Sequence, residues 1–334
     1  MTLTPELEAL AESTFVTYEK RTWLVENMGG PDVLRACIRS EILIELASTK
    51  TSGTIDQWQF EPGRHSRLLH HEMGRFGPIV VVQASYTIRT MRFGSSGPIQ
   101  SVVDITAPHT LLLRYSKAVM LGLAWMPRPR AILVVGLGAG SIPMFLRCFL
   151  PEAIIDVVEI DYAVVSVAKR FFNFNEDDKL RVHIDDGRHF VEHSTTTYDM
   201  VILDVYGADI MPRHMVTIES LKAVADHLAR EGVVIANAWG ADLNKAFIQT
   251  YKSFRAVFSQ CYVAKVPSVD NRLIFATNIA QPTDCSGLTD RLCEVRKSEA
   301  IPYPLEDYLS VDNETLNAHL EQLDPNEFSP LTDG

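Results

Sequence analysis

The chain has 334 residues and a formal net charge of −11. This acidic balance argues against a nucleic-acid partner, because neutralising backbone phosphates requires a basic face. The length allows one large domain or a main domain with appendages, and the 46% hydrophobic content is ample for its core. An acidic balance also favours a cationic small substrate.

The cysteines and the first residues indicate where the protein works. The five cysteines are odd in number and form no CxxC pair, which predicts reduced structural thiols. The opening MTLTPELEALAES is acidic and lacks the apolar core of a secretory signal, and no apolar run is long enough to span a bilayer. We therefore expect a cytoplasmic protein with no membrane partner.

The histidine-rich stretch before residue 73 is the one place where the sequence invites a metal site. His65, His70 and His71 lie near Glu72, but they do not show the spacing of metal ligands. We expect a solvated loop there and no metal in the protein.

The first third of the chain changes its hydrophobic period. Residues 1–62 have apolar positions at helical spacing and predict a helical arm. Residues 63–110 are rich in β-forming runs separated by turn residues and predict a small antiparallel unit. A helix is expected over 111–125, ended by Pro127 and Pro129. The predicted strands of the antiparallel unit are 78–83, 86–93 and 99–104.

From residue 131 strands and helices alternate, which is typical of parallel strands joined by helical crossovers. The expected fold class is α/β, with a doubly wound Rossmann-like sheet over 111–280 and a polar tail over 281–334 that contains a helix near 314–322. The predicted strands are 131–135, 154–159, 181–184, 199–204, 232–237, 260–266 and 271–277. The predicted helices are 141–150, 161–172, 187–193, 217–230 and 243–258.

A glycine-rich turn follows the first of these strands. Gly136, Gly138 and Gly140 succeed the apolar run 131–135, and Glu159 ends the next strand, 23 positions after Gly136. Such a turn lets backbone N–H groups and a helix N-terminus approach a ligand, and an acidic residue at the next strand end accepts both ribose hydroxyls. The pair of features predicts a nucleoside site.

Two further strand ends carry carboxylates. Asp186 with Gly187 follows the third strand, where a carboxylate and a backbone N–H face an adenine edge, and Asp204 follows the fourth. Open α/β sheets bind ligands at the carboxyl ends of their strands. These residues therefore extend the predicted site.

The motifs Val134–Gly140, Val158–Asp161, Asp186-Gly187 and Asp199–Asp204 together resemble the spermidine synthase (polyamine aminopropyltransferase) family, and so does the lead-in Phe93–Ser101. More narrowly, the chain resembles the bacterial spermidine synthase-like branch, over about residues 75–280. The resemblance implies the class I S-adenosylmethionine (SAM) transferase fold. It also implies that the three glycines cradle a sulfonium nucleoside, that Glu159 holds the ribose, and that Asp186 and Gly187 hold the adenine.

The same resemblance assigns the reaction end of the site. Asp204 matches the catalytic aspartate that orients or deprotonates an attacking amine, and Tyr115 lies within one residue of an active-site tyrosine. Asn237 stands where the family has a polar amide near the acceptor. Tyr206 either lines the acceptor pocket or caps the sheet edge. The resemblance further implies an amine-bearing small-molecule acceptor and a homodimer.

Three positions depart from the family pattern. Its second aspartate is Gly207 here, the aspartate of its glycine loop is Ala139, and a tyrosine lining its diamine site is Val269. The adenosine half is intact while anionic amine-binding groups are missing, so the donor is either decarboxylated SAM or SAM itself. An alkyl transferase and a SAM methyltransferase both stay open; a silent binding module is disfavoured because the three carboxylates are retained.

Overall fold

The computed structural model describes residues 67–84, 86–94, 99–205, 211–239, 245–267, 269–279, 285–309 and 329–333. They fall into two compact units. The first unit contains the described residues up to Leu113 together with 138–141 and 163–174, and the second contains the others. The predicted helical arm 1–62 and the predicted helix near 314–322 lie outside the described residues.

The first unit is built on an antiparallel sheet, as predicted, and the sheet has four strands where the sequence predicted three. The strands follow chain order across the sheet, and Val80, Val81 and Val82 in the second strand are fully buried. Since successive side chains of a strand point to opposite faces, both faces of this strand are covered. The strands are β1 (Arg67–Gly74), β2 (Gly77–Gln83), β3 (Ile88–Phe93) and β4 (Ile99–Asp104).

Strand β1 corrects one expectation from the sequence. His70, His71 and Glu72 lie within it, so the predicted loop is wrong. The strand forms because it pairs antiparallel with β2. The ring of His70 stacks on Phe171, 101 residues along the chain, with centroids 4.9 Å apart. Within the ranges that the structure describes, no cluster of three His, Cys, Asp or Glu residues is arranged to hold a metal ion.

The second unit contains a seven-stranded sheet in the order β10-β11-β9-β8-β5-β6-β7. Strands β5 to β9 pair in parallel, whereas β11 runs antiparallel to both β9 and β10. The doubly wound Rossmann-like sheet is confirmed, with one antiparallel strand that makes it mixed. The strands are β5 (Ala131–Val135), β6 (Ile154–Glu159), β7 (Leu180–Ile184), β8 (Tyr198–Leu203), β9 (Leu228–Trp239), β10 (Gln260–Lys265) and β11 (Asn271–Thr277).

The described helices are α1 (Arg114–Val119), α2 (Ser141–Phe149), α3 (Tyr162–Phe171), α4 (Gly187–His193), α5 (Ile218–Asp226), α6 (Lys245–Val257) and α7 (Cys285–Ser298). None of the helices within the described ranges is long and apolar enough to cross a membrane. Helix α1 continues as a 3₁₀ turn, Met120–Ala124, ahead of Pro127, because the tighter turn is common where a helix ends.

The predicted helix over 217–230 is shorter in the structure. Helix α5 ends at Asp226, and β9 begins at Leu228. Leu228 pairs with Tyr198 of β8, whose N–H donates to the carbonyl of His227 at 2.8 Å. Pairing with the neighbouring strand therefore takes these residues from the helix into the sheet.

The order of the strands fixes where a ligand meets this unit. From β5 the chain moves outward through β6 and β7, and then returns to the other side of β5 with β8 and β9. The strand order reverses between β5 and β8, and such a switch point leaves a crevice at the carboxyl ends of the strands. Gly136 and Asp204 are the residues that directly follow these two strands.

Candidate active site

Gly136 lies between the ends of the two strands that flank β5. Its N–H donates to the carbonyl of Val158 at 2.8 Å, and the N–H of Asp204 donates to the carbonyl of Val135 at 2.9 Å. Gly136 has a φ of +97°, and a Cβ there would lie 2.2 Å from the carbonyl oxygen of Asp204. Only glycine fits, both because of this contact and because of the left-handed φ.

Residues 138–141 of the glycine-rich turn belong to the first unit. Gly138 and Gly140 also have positive φ, 53° and 80°. The N–H of Ala139 donates to Oγ of Ser101 at 3.0 Å, and the side chain of Ala139 is fully buried. Ser101 comes from β4 and is a contact that the sequence did not single out, because the two segments are 38 residues apart.

Glu159 ends β6 and is only 8% exposed. Its Oε2 accepts the N–H of Leu137 and its Oε1 the N–H of Asp161, both at 3.0 Å. Burial raises the pKa of Glu159 above its ordinary value, and these backbone N–H groups oppose the rise. A further backbone hydrogen bond comes from Ile160. An ionised carboxylate has about four acceptor positions, so acceptor capacity remains for a ribose hydroxyl.

Asp186 caps the N-terminus of α4. Its Oδ1 accepts the N–H groups of Arg188 at 2.9 Å and of His189 at 3.2 Å, and its Oδ2 lies 3.0 Å from Nε2 of His214. Burial favours a higher pKa, but the hydrogen bonds from His189 and His214 outweigh it and lower the pKa of Asp186. Gly187 is the buried first residue of the helix, and first-turn N–H groups have no acceptor within a helix.

Asp204 receives two side-chain hydrogen bonds within the second unit. Asn237 Nδ2 donates to its Oδ1 at 2.9 Å, and the hydroxyl of Tyr115 donates to its Oδ2 at 3.3 Å. Tyr115 stands on α1, which packs against β9 and β11. Burial raises the pKa of Asp204, and the two donors oppose the rise. The structure thus brings together three residues that are separated by up to 122 positions in the sequence.

Asn237 is 2% exposed and is held from its other end as well. Its Oδ1 accepts a hydrogen bond from Nδ2 of Asn271 at 2.9 Å. Sequence reasoning missed Asn271, although a polar residue that opens the apolar strand β11 was a visible signal. It missed His214 because nothing in the sequence links that residue to Asp186.

Of the remaining residues that the sequence assigned to the acceptor end, only Val269 lies among the described residues. Tyr206 and Gly207 lie outside the described residues, so the acceptor role of Tyr206 stays a prediction. The roles of Asn237 in acceptor binding and of the nucleoside residues in ligand contact also stay predictions. Val269 is described and partly buried in the turn between β10 and β11.

Comparison with known proteins identifies the family. The family model described as "Spermine/spermidine synthase domain" matches residues 113–284, just over half of the chain. The chain belongs to this family. The matched range contains Tyr115, Glu159, Asp186, Asp204 and Asn237, and the resemblance drawn from the sequence is confirmed.

Two kinds of curated relative share this range. A polyamine aminopropyltransferase of Vibrio vulnificus is 33% identical over 172 residues, which are 50% of this chain and 57% of that protein. An eEF1A lysine and N-terminal methyltransferase of Bos taurus is 31% identical over 206 residues, which are 56% of this chain and 29% of that protein. The chain therefore matches less than two thirds of the length of either relative.

Solved structures show the same two kinds of protein. The spermidine synthase of Thermotoga maritima superposes with a TM-score of 0.60 at 16% identity, covering 77% of this chain and 88% of that one. Human methyltransferase-like protein 13, solved in complex with SAH (S-adenosylhomocysteine), has a TM-score of 0.53 at 28% identity and covers 60% of this chain and 99% of that one. The similarity to the Thermotoga protein supports the fold alone, whereas the human protein is similar to this chain in both fold and sequence.

Proposed function

We propose that this protein transfers an alkyl group, aminopropyl or aminocarboxypropyl, from a sulfonium nucleoside to an amine of a small molecule. The observation that carries the proposal is Asp204, which follows β8 at the switch point of the sheet, packs against Gly136 and accepts hydrogen bonds from Tyr115 and Asn237. A partly buried carboxylate beside a nucleoside-type turn is suited to hold an amine.

The nucleoside end of the proposed site consists of groups that suit SAM or its decarboxylated form. Glu159 offers its remaining acceptor capacity to the ribose hydroxyls, and the turn that begins at Gly136 follows β5 at the switch point, where a backbone-bound ligand is expected. Asp186 and Gly187 offer a carboxylate and a helix-end N–H toward adenine. The family match and the nucleoside in the human relative's structure support this half of the proposal.

In the proposed reaction the amine nitrogen attacks the aminopropyl or aminocarboxypropyl carbon that is bonded to sulfur. The bond between this carbon and sulfur breaks, and its electron pair stays on sulfur. The nitrogen gives up one proton. Asp204 accepts or directs that proton, and its raised pKa brings it closer to that of a useful base at neutral pH. Tyr115 and Asn237 hold the carboxylate in place, so that much of the rate comes from orientation.

Intact SAM is the donor that the residues favour. Ala139 replaces the family's loop aspartate, and Gly207 replaces its second catalytic-site aspartate. A carboxylate at residue 139 would repel the α-carboxylate of SAM, and its loss removes that penalty. The acceptor correspondingly needs one amine near Asp204 rather than anionic partners at both ends.

A second candidate is methyl transfer from SAM on the same fold. The specific observation in its favour is the similarity to eEF1A lysine and N-terminal methyltransferases, which recurs in several vertebrates at 30–34% identity. Its acceptor would again be an amine, held by the same carboxylate. The two candidates differ in which of the carbons on sulfur is attacked.

The nucleoside product separates the candidates. The protein is incubated with SAM or with decarboxylated SAM and a panel of mono- and diamines, and the products are resolved by mass spectrometry. Alkyl transfer releases methylthioadenosine from either donor, whereas methyl transfer releases S-adenosylhomocysteine from SAM and its decarboxylated counterpart from decarboxylated SAM. Asp204→Asn serves as the inactive control. Failure of both nucleosides to bind in calorimetry would refute the transferase proposal as a whole.

A further inference from the structure

We propose that Asn271 is a positioning residue, which acts through Asn237 to fix the direction of the hydrogen bonds that reach Asp204. The proposal rests on the role given above to Asp204. It adds a residue that lies outside the sequence motifs of the site. The role of Asn271 is to keep Asp204 supplied with a donor rather than an acceptor.

The three side chains form a line across neighbouring strands. Asn271 opens β11, Asn237 lies near the end of β9, and these strands pair antiparallel, with Asn271 opposite Trp239 and Leu273 opposite Asn237. Asn271 Nδ2 lies 2.9 Å from Asn237 Oδ1, and Asn237 Nδ2 lies 2.9 Å from Asp204 Oδ1. The backbone carbonyl of Asn271 accepts the N–H of Val266 at 3.0 Å, which fixes the start of the strand.

The chemistry of the groups allows one direction along this line. An ionised carboxylate only accepts, so Asn237 must turn its NH₂ toward Asp204 and its oxygen toward Asn271. Asn271 must then present its own NH₂. Because Asn237 is buried, turning its amide around would place an oxygen against the carboxylate, which is tolerated only when Asp204 carries a proton.

The surroundings of Asp204 make this amide influential. The carboxylate of Asp204 contacts the phenol of Tyr115 from α1 and the neutral amide of Asn237 from β9. The backbone of Asp204 contacts Val135 of β5 and Gly136 of the following turn. Within the described part of the chain, no cation is seen in hydrogen-bond contact with its carboxylate. Loss of one oriented donor is therefore expected to favour the protonated carboxyl.

The decisive comparison is Asn271→Leu against Asn271→Ser. Leucine has nearly the shape of asparagine but cannot donate, whereas serine keeps a donor for Asn237. The carboxyl carbon of Asp204 is followed by ¹³C NMR as a function of pH and is assigned by its absence in Asp204→Asn. Asn271→Leu should move the Asp204 titration upward by about one pH unit, and Asn271→Ser should stay close to the parent protein.

Turnover gives a second readout. In Asn271→Leu the acid limb of the kcat profile should move in the same direction, with the KM for the nucleoside unchanged within about twofold. Asn271→Asp should move it further, since an acceptor at residue 271 draws the NH₂ of Asn237 away from Asp204. Asn278→Asp is the matched control: it adds the same charge just beyond the far end of β11, where Asn278 Oδ1 accepts the N–H of Ser259.

An unchanged Asp204 titration in folded Asn271→Leu would overturn the inference, and so would an equal shift in Asn278→Asp. If the leucine variant does not fold, Asn271→Ala carries the same comparison. Failure of the catalytic role is a separate outcome: Asp204→Asn would then retain turnover while the NMR titration of the parent still reports on Asn271.

Discussion

The carbonyl oxygen of Asp204 lies so close to Gly136 that a Cβ on Gly136 would stand 2.2 Å from it. The first residue of the glycine-rich turn and the proposed catalytic residue are therefore packed against each other through their backbones. Neighbouring parallel strands β5 and β8 bring them there. A substitution at Gly136 is therefore expected to displace the backbone of Asp204.

Gly136→Ala tests this contact. The substitution forces a Cβ into the Asp204 carbonyl and an unfavourable φ of +97°, so we expect a loss of stability of about 1–3 kcal/mol or more. Denaturant unfolding measures it. Gly287→Ala is the control, because Gly287 lies in α7 with nothing within 4 Å of its added Cβ. That variant should gain about 0.5–1 kcal/mol, and equal losses in both variants would contradict the assignment.

Glu159→Ala tests the ribose contact. Charge-assisted hydrogen bonds are worth about 1.5–3 kcal/mol each, so the affinity for SAM should fall by about tenfold or more. Isothermal calorimetry on protein shown to be folded provides the measurement. Glu152→Ala removes an exposed carboxylate that contacts Lys179 and should bind normally. Unchanged affinity in the Glu159 variant would show that this carboxylate only supports the turn.

Asp204→Asn should bind the nucleoside and lose turnover, because an amide takes up no proton at neutral pH. It should also be more stable than the parent. Burial raises the pKa of Asp204 in the folded state, so the folded state binds this proton more tightly than the unfolded chain does. The parent protein therefore loses stability as the pH rises through the folded pKa, whereas the variant does not.

The stability gap between Asp204→Asn and the parent should accordingly widen as the pH rises from the ordinary aspartate pKa to the raised pKa of the folded state, and should stay constant above it, as measured by thermal unfolding at a series of pH values. Tyr115→Phe, which removes one donor to Asp204, should reduce turnover and leave the nucleoside affinity unchanged. Turnover at the parental rate in Asp204→Asn would show that Asp204 has a structural role and not a catalytic one.

Asp333 near the end of the chain should hold residues 331–333 on the second unit. Arg188 donates to both of its oxygens, at 2.7 and 2.5 Å, and Thr217 donates at 2.9 Å. The hydrogen bond from Arg188 is the main reason why the pKa of Asp333 falls to about 2. The stabilisation is fully present above the ordinary aspartate pKa and is lost as the pH falls below it, through the folded pKa of about 2.

Asp333→Asn should therefore speed hydrogen exchange at the N–H of Ile218, which donates to the carbonyl of Leu331 at 2.8 Å. The effect should be seen at pH 7 and should shrink at low pH. Glu192→Gln removes the other acidic partner of Arg188 and should leave this exchange unchanged. Equal exchange in the parent and Asp333→Asn would contradict the role of the ion pair.

Intact SAM should bind the parent protein at least as tightly as decarboxylated SAM, and Ala139→Asp should reverse the order, since like charges in a partly desolvated site cost several kcal/mol. Competition calorimetry with both nucleosides measures the preference. Because Ala139 is fully buried, circular dichroism of the variant is a required control, and the comparison in the parent protein decides the matter alone. Tight binding of the decarboxylated form with negligible binding of SAM would contradict this prediction and would make decarboxylated SAM the donor.

Local sequence determined the strands of the Rossmann-like sheet, the glycine turn and the carboxylates at strand ends. Hydrophobic period and backbone preference act over a few residues, and parallel strands must place their carboxyl ends at one edge. The same local rules placed the Gly136–Glu159 pair, because each residue directly follows or ends a buried strand.

Tertiary structure decided what depends on contacts between distant segments. Strand β1 forms where only a loop was expected, and α5 gives way to β9 because Leu228 pairs with Tyr198. The bonds from His214 to Asp186 and from Asn271 to Asn237 span 28 and 34 residues. A hydrogen bond requires two groups within about 3 Å of each other. For residues far apart in the sequence, this distance is set by the folded structure and cannot be read from the local sequence.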